Sequence, residues 1–399
     1  MLVFAAPGQG AQAPGFLTSW LDLPGFADRL GAWSDLAGCD LIAAGTTAGA
    51  EQIRDTAVAQ PLLVAAAIAS AEALCGDLEQ ARRKGGIAAG HSVGELAAGA
   101  IAGVLTPEDA MRLVAVRGRA MAQAAAAEQT GMTAILGGDE SEVLAAIGAH
   151  GLTPANINAT GQIVAAGTLA QLAALAADPP AGARLRPLSV AGAFHSLHMA
   201  PAVSALRVAA AGVAVADPEM ELLSNLDGAA VASGADWLDR IITQVSAPVR
   251  WKECMASMAE AGTSAFIELL PGGTLTGLAR RALPGAATVA LKTPDDLTAA
   301  RSLLAEHGAL DPFDGGHLPE WRLLVAPHDG TFRAGHPERV LAPGVAVTSG
   351  SALGHVEVRT GQHPVSPSYG GTIIEWLVED GDPVNVGQPL VRLQPEGTE

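Results

Sequence analysis

The run Gly86-Ile87-Ala88-Ala89-Gly90-His91-Ser92-Val93-Gly94-Glu95 constrains this chain more than any other stretch. Its apolar half reads as a short buried strand, and Glu95-Leu96-Ala97-Ala98 onward to about Val104 reads as a helix, so G-x-S-x-G falls at a strand-to-helix junction. A turn this sharp forces the serine into a strained backbone conformation and leaves no room for a side chain at Gly90 or Gly94. Ser92 is therefore the candidate nucleophile. It sits at a helix start, where free N–H groups and the positive end of the dipole stabilise a developing oxyanion, the N–H of Val93 being one donor.

At 399 residues the chain has room for about two or three domains. It is 49% hydrophobic but only 4% aromatic, so its core is built mainly from Ala, Val, Leu and Ile. The formal net charge of -18 argues against general affinity for nucleic acid or an anionic membrane surface, while leaving room for a local basic pocket. Cys39, Cys75 and Cys254 are an odd, scattered set without metal-ligand spacing, and read as buried thiols of a reducing compartment. Met1 to Ala6 is too short for a signal segment and runs straight into Pro7-Gly8-Gln9-Gly10, so it reads as a first strand. The longest apolar run, Pro61 to Ala71, falls short of a membrane span and suits a buried helix. A cytoplasmic protein is the expectation.

Along the chain, apolar strands alternate with helical patterns, which means an α/β domain. Helices are expected from Phe16 to Leu36 in pieces, from Ala59 to Asp77, and from Pro107 to Ala126, the last opened by Thr106 as N-cap, Pro107, and acidic Glu108 and Asp109. From Gly131 the order becomes βαββαβ: strand Met132 to Leu136, helix Glu140 to His150, strands Leu152 to Ile157 and Gln162 to Ala166, helix Leu169 to Ala177, strand Arg184 to Val190. The expected fold class is a large α/β-hydrolase-like domain (1–127 and 191–307) with an inserted ferredoxin-like subdomain (128–190). A linker (308–320) then leads to an all-β barrel-sandwich module (321–399) of short strands between Gly, Pro, Asp and Asn turns.

The elbow, Pro7-Gly8-Gln9-Gly10, Arg117-Gly118-Arg119-Ala120-Met121, Ala193-Phe194-His195, Ser224-Asn225-Leu226-Asp227-Gly228 and Gln244 to Trp251 occur in one order over residues 1 to about 300. This combination resembles the acyltransferase family of malonyl-CoA:acyl carrier protein transacylases. Val93 after the nucleophile and Ala193-Phe194-His195-Ser196 resemble the malonyl-type rather than the methylmalonyl-type pattern.

The resemblance implies roles that are chemically reasonable. His195 is the general base for Ser92, oriented by the main-chain carbonyl of Gln244 rather than by a carboxylate. Glu140, Glu142 and Asp178 fall between Ser92 and His195 but lie in the inserted subdomain, and none is a convincing third member of a triad. Gln9 lends its backbone N–H to the oxyanion site beside Val93. Arg117 is expected to take the free carboxylate of a malonyl group through two parallel N–H bonds, whereas Arg112 and Arg119 read as a solvated helix face. His91, Phe194, Asn156, Asn158 and Gln162 match positions near the acyl pocket, with a turn role for the asparagines equally open. Implied partners are malonyl-CoA and the phosphopantetheine thiol of acyl carrier protein, with no metal or redox cofactor. Both are anionic, so a basic rim is required, for which Arg82-Arg83-Lys84, Arg250, Lys252, Arg280 and Arg281 are candidates.

Residues 321 to 399 resemble a biotinyl/lipoyl domain, through Leu324 to Gly330, Pro343 to Gly350, Gly370 to Trp376 and Asp380 to Leu390. The carrier lysine of such a domain would fall near Thr360, and the chain's lysines are Lys84, Lys252 and Lys292. The tail is therefore expected to carry neither biotin nor lipoate, and either docks a protein partner or caps the transferase. His328, His336, His355 and His363 show no metal-ligand spacing. Two other functions remain open: a serine thioesterase or esterase with the same elbow, and a malonyl-transfer or scaffold subunit of a carboxylase or decarboxylase assembly.

Overall fold

The structure is a computed structural model that describes residues 1–308, 322–335, 342, 344–359, 361–368 and 370–395. The linker expected at 308–320, beyond Gly308, lies outside the described residues, as do His336 and Thr360. The chain divides into two units, Met1–Leu310 and Asp311–Glu399.

The first unit is built on a five-stranded parallel sheet in the order Glu221–Leu222, Ile87–Gly90, Leu2–Ala6, Ala265–Glu268, Ala287–Ala290. All five residues of Leu2–Ala6 and all four of Ile87–Gly90 are buried, which explains their unbroken apolar character: helices cover both faces. Leu2–Ala6 has Ile87–Gly90 on one side and Ala265–Glu268 on the other, so the chain reverses its winding direction at this strand. Loops leaving the carboxyl ends of strands at such a point line a crevice. Here they are the Pro7–Gln12 loop and the Ser92 turn.

The helix Thr56–Cys75 runs through the core and is apolar on every side. By length and composition it could cross a membrane, but 78% of its apolar window is buried inside the fold, as for a core helix. Glu268, fully buried at the end of its strand, accepts from the N–H groups of Gly273, Leu275 and Thr276 and from the Thr276 hydroxyl. This carboxylate caps the helix Thr274–Ala282 and fixes the start of that helix beside the crevice.

Residues 130–187 form a second, antiparallel sheet in the order Thr153–Ala159, Gln162–Thr168, Thr130–Gly137, Ala183–Pro187, with the helices Glu140–Ala149 and Leu169–Ala177. One face, with Ile135, Ile163 and Ala165, packs on Val143, Ile147 and Leu175. Alternate residues Met132, Ala134, Val164 and Ala166 point the other way, into the main core. The subdomain is tied to the large sheet's loops by Ile157 N–H to the Val249 carbonyl (2.9 Å) and Val249 N–H to the Ala155 carbonyl (2.8 Å). The last strand ends at Pro187 rather than Val190: Leu188 N–H makes one further bond, to the Met132 carbonyl (2.9 Å), and Leu188 and Val190 then line the crevice.

Two helices, Leu41–Thr46 and Leu78–Lys84, were not expected from periodicity, both being too short to show one. Each is capped by an aspartate, Asp40 and Asp77.

Among its described residues the second unit has two four-stranded antiparallel sheets. One orders Arg322–Val325, Pro389–Pro395, Gly371–Trp376 and Ala346–Val347; the other orders Gly361–Val365, Gly354–Val358, Gly330–Ala334 and Pro383–Val384. Phe332, Val356, Val365 and Leu390 form one cluster and Val347, Ile373, Val391 and Leu393 another, with Leu324 and Trp376 packed against both.

Candidate active site

Ser92 leaves the strand Ile87–Gly90 with φ 55° and precedes the helix Gly94–Ile101. Left-handed backbone costs a residue with a side chain on the order of 1 kcal/mol or more, and only two such residues carry it among the described ones: Ser92 and His195, φ 58°. The turn tolerates nothing larger than glycine on either side. A Cβ at Gly90 would lie 2.0 Å from the Gly94 carbonyl carbon and 2.2 Å from the Glu95 nitrogen, and one at Gly94 would lie 2.3 Å from the Ala6 carbonyl oxygen.

The two strained residues meet. Ser92 Oγ lies 2.7 Å from His195 Nε2. On the far side of the ring, Nδ1 is 3.0 Å from the Gln244 main-chain oxygen and 3.1 Å from the Gln244 side-chain Nε2. A ring that accepts the Ser92 proton at Nε2 carries its own proton on Nδ1, and of these two neighbours only the carbonyl can accept it. Among the described residues no carboxylate hydrogen-bonds the ring; Glu140 is instead paired with Lys252 at 2.7 Å.

Arg117, on the helix Pro107–Ala126, is only 3% exposed. Its Nη2 donates to Ser92 Oγ at 3.2 Å and its Nη1 to Gln60 Oε1 at 2.8 Å. Arg112 and Arg119 on the same helix are exposed, and Arg112 pairs with Asp109 at 2.7 Å. Burial pushes the Arg117 guanidinium down to about 10, against the pull of Glu95. Burial first, and then the Arg117 charge, pushes His195 down to about 3, so the imidazole is neutral and ready to accept a proton.

In front of Ser92 lies a cavity of about 240 Å³. Gln9 and Gly10, His91, Phe194 and His195, Asn156, Asn158 and Gln162, Met121, Met132 and Leu278 all line it, and so does Gln60. The His91 ring nitrogen Nε2 is 2.9 Å from Asn158 Oδ1, and burial keeps this histidine's pKa low. The Gln9 amide donates to Thr56 Oγ1 at 3.3 Å. Val93 is buried behind the turn. Among the described residues, neither the Gln9 nor the Val93 N–H has an intramolecular acceptor. Both are therefore available to an oxyanion.

A neighbouring cavity of about 290 Å³ shares Asn158 and Leu278 with the first and adds Lys252 and Arg281. The basic candidates thus separate. Arg281 reaches Gln162 Oε1 at 3.3 Å, and Arg250 and Lys252 open the helix Trp251–Glu260 beside the small subdomain. Arg82, Arg83 and Lys84 sit on a helix that enters the amino end of Ile87–Gly90, whereas Ser92 leaves its carboxyl end, and Arg82 is paired with Glu219 at 2.9 Å. They belong to the opposite edge of the sheet and not to a rim around Ser92.

Three buried residues around Ser92 were not anticipated as site residues: Gln60, which lines the cavity, and Glu95 and Asn225, which do not. Glu95 follows the elbow motif directly and Asn225 lies in the Ser224–Gly228 run, so both carried a signal of position but none of role. Gln60 had none.

An open parallel sheet that presents a strained serine and a neutral histidine to a small, half-apolar cavity with a buried cation defines a class, the serine acyltransferases. The chain belongs to the acyl transferase domain family, which it matches over residues 3–300. It is 52% identical over 302 residues to the malonyl CoA-acyl carrier protein transacylase of Mycobacterium tuberculosis, covering 74% of this chain and 98% of that one. The crystal structure of MCAT from Mycobacterium tuberculosis superposes with a TM-score of 0.73 at 51% identity, over 75% of this chain and 99% of that one. A malonyl-transacylase in complex with a type II PKS acyl-carrier protein superposes with a TM-score of 0.70 at 29% identity, over 75% and 99%.

Proposed function

We propose that Ser92, His195 and Arg117 carry the chemistry of this enzyme, which transfers the malonyl group of malonyl-CoA to acyl carrier protein for fatty acid synthesis. The observation that carries the residue assignment is the buried Arg117 guanidinium 3.2 Å from Ser92 Oγ. A malonyl thioester differs from an acetyl one by a free carboxylate, and a desolvated guanidinium is the group that recognises it.

In the first half-reaction the Ser92 hydroxyl gives its proton to His195 Nε2 as Oγ attacks the thioester carbonyl carbon. The oxyanion is held by the N–H groups of Gln9 and Val93. Collapse expels the CoA thiolate, which takes the proton from His195, and leaves malonyl on Ser92 with its carboxylate on Arg117. The phosphopantetheine thiol of acyl carrier protein then gives its proton to His195, attacks the ester, and regenerates Ser92. A histidine oriented by the Gln244 carbonyl rather than by an anion is a weak base, suited to a thiol nucleophile more than to water. His91, Asn156, Asn158, Gln162 and Phe194 shape the acyl pocket, and no metal or redox group has a step to perform. Arg250, Lys252, Arg280 and Arg281 form the basic rim for the carrier.

The antiparallel subdomain, with its strand order and two helices, reads as ferredoxin-like and inserted at 128–190 into an α/β-hydrolase-like domain. The second unit reads as a biotinyl/lipoyl-like module without a lysine for the cofactor, serving as a docking element or a cap. The three free thiols of the chain, Cys39, Cys75 and Cys254, suit a cytoplasmic enzyme.

Intact-mass measurement after brief exposure to malonyl-CoA tests the assignment. A malonyl adduct is expected that is absent in Ser92→Ala, weakened in Arg117→Ala, and discharged onto added acyl carrier protein. An adduct lost to water alone would indicate a thioesterase, and no adduct a scaffold role.

A further inference from the structure

Ser92 is held in a conformation that its own side chain disfavours, so something outside the turn must hold it there. The fully buried Asn225 does so from a segment 133 residues away in the chain. Its Oδ1 accepts from the Ser92 N–H at 2.7 Å, and its Nδ2 donates to the Gly90 carbonyl at 2.8 Å. One amide thus bridges the residue before the turn and the serine at its apex, and fixes both the strand end and the direction of the Ser92 N–Cα bond. It also occupies the Ser92 N–H, which leaves the oxyanion to the donor one residue on.

Asn225 is itself pinned. Its backbone N–H donates to Glu95 Oε1 at 2.8 Å, and its carbonyl accepts from Arg250 N–H at 2.9 Å. Glu95 is 1% exposed, and its other oxygen, Oε2, has no hydrogen-bond partner among the described residues. A buried carboxyl left half-unsatisfied is costly, and its one bond is spent on the residue that clamps the nucleophile. Burial pushes the Glu95 pKa up to about 8, opposed by its bond to Asn225 and by Arg117, which favours the neutral carboxyl at physiological pH.

We infer that Asn225 and Glu95 are positioning residues for acyl transfer: the Asn225 amide clamps Gly90 and Ser92 into the reactive turn, and Glu95 fixes Asn225 through its acceptor oxygen Oε1. The inference rests on Ser92 being the nucleophile. Neither residue lines the cavity in front of Ser92.

The test is the single-turnover rate of CoA release from malonyl-CoA, with Ser92→Ala as the control for the nucleophile. Asn225→Ala is expected to acylate about 100-fold more slowly with its KM for malonyl-CoA within about threefold, since misplacing the attacking atom costs rate and not binding. In Asn225→Asp the second oxygen faces the Gly90 carbonyl and clamps only as a protonated carboxyl donating to it. Its rate should therefore fall as pH rises, a limb the native enzyme lacks. Glu95→Gln keeps the acceptor oxygen and should stay within about fivefold of native, while Glu95→Ala should lose about tenfold or more.

Native acylation by a folded Asn225→Ala overturns the clamp. Should that variant fail to fold, an Asn225→Asp profile identical to the native one overturns it instead. Equal losses in Glu95→Gln and Glu95→Ala overturn the role given to Glu95. Each of these results leaves the Ser92 adduct intact, whereas persistence of the adduct in Ser92→Ala would sink the nucleophile assignment itself.

Discussion

Arg117 Nη2 donates to Ser92 Oγ at 3.2 Å, so the cation proposed to take the substrate's carboxylate also rests on the proposed nucleophile. The same charge helps to keep His195 neutral. When a carboxylate engages Arg117, its positive field at the imidazole is partly cancelled, and His195 becomes a better base at the moment the thioester arrives. On the proposed assignment, donor recognition and base strength are coupled through one guanidinium.

Replacing Arg117 by Ala should therefore collapse the preference for malonyl-CoA over acetyl-CoA. Loss of two charge-assisted hydrogen bonds, at about 1.5–3 kcal/mol each, predicts a fall in the ratio of the two kcat/KM values of about 100-fold or more. Steady-state rates with both donors measure it. Equal losses for the two donors would show that Arg117 supports the fold or the serine and not the carboxylate.

The acid limb of the pH profile follows from His195. Its folded pKa lies at about 3, below the ordinary 6.5, so the base is neutral and active above that value and is lost only as pH falls toward it. For acylation by acetyl-CoA, kcat/KM should stay level from about pH 8 down through the ordinary histidine range. Removing the Arg117 charge raises the His195 pKa and moves the limb upward. A native limb at the ordinary histidine pKa, unmoved in Arg117→Ala, would contradict this electrostatic picture.

How much of this was legible in the sequence depended on distance along the chain. The elbow showed itself because its demands are local: Gly90, Ser92 and Gly94 lie within one turn. The helix Pro107–Ala126 showed itself through Thr106, Pro107 and the acidic first turn. The clamp did not, because Asn225 meets Ser92 only when the strand Glu221–Leu222 is placed beside Ile87–Gly90, and no period in either segment specifies that pairing. Arg82-Arg83-Lys84 misled for the same reason. The run is close to Ser92 in sequence, yet a strand crossing the sheet separates them.

Gly90 and Gly31 make opposite predictions from the same substitution. A Cβ at Gly90 meets backbone at 2.0 Å, which cannot yield without moving the turn, so Gly90→Ala should cost about 1–3 kcal/mol or more and abolish the malonyl adduct. A Cβ at Gly31, inside the helix Phe26–Ala37, meets nothing within 4 Å, so Gly31→Ala should stabilise by about 0.5–1 kcal/mol through helix propensity. Paired thermal melts check both. A neutral Gly90→Ala would mean that the elbow can relax.

Every residue that lines the catalytic cavity falls between Gly8 and Leu278, and the family match ends at residue 300. The relative from Mycobacterium tuberculosis is covered almost completely by three quarters of this chain, so that protein needs no counterpart of the second unit. A chain ended at Leu310 should accordingly keep its acylation rate with malonyl-CoA within about threefold, a change of well under 1 kcal/mol in the barrier. Transfer to acyl carrier protein is then the discriminating measurement. A capping role predicts an unchanged acceptor KM and a lower melting temperature, whereas a docking role predicts an unchanged melting temperature and weaker capture of whichever protein the second unit holds. If the acylation rate itself fell by an order of magnitude or more, the second unit would have to take part in building the site around Ser92, and the division of labour between the units would be wrong.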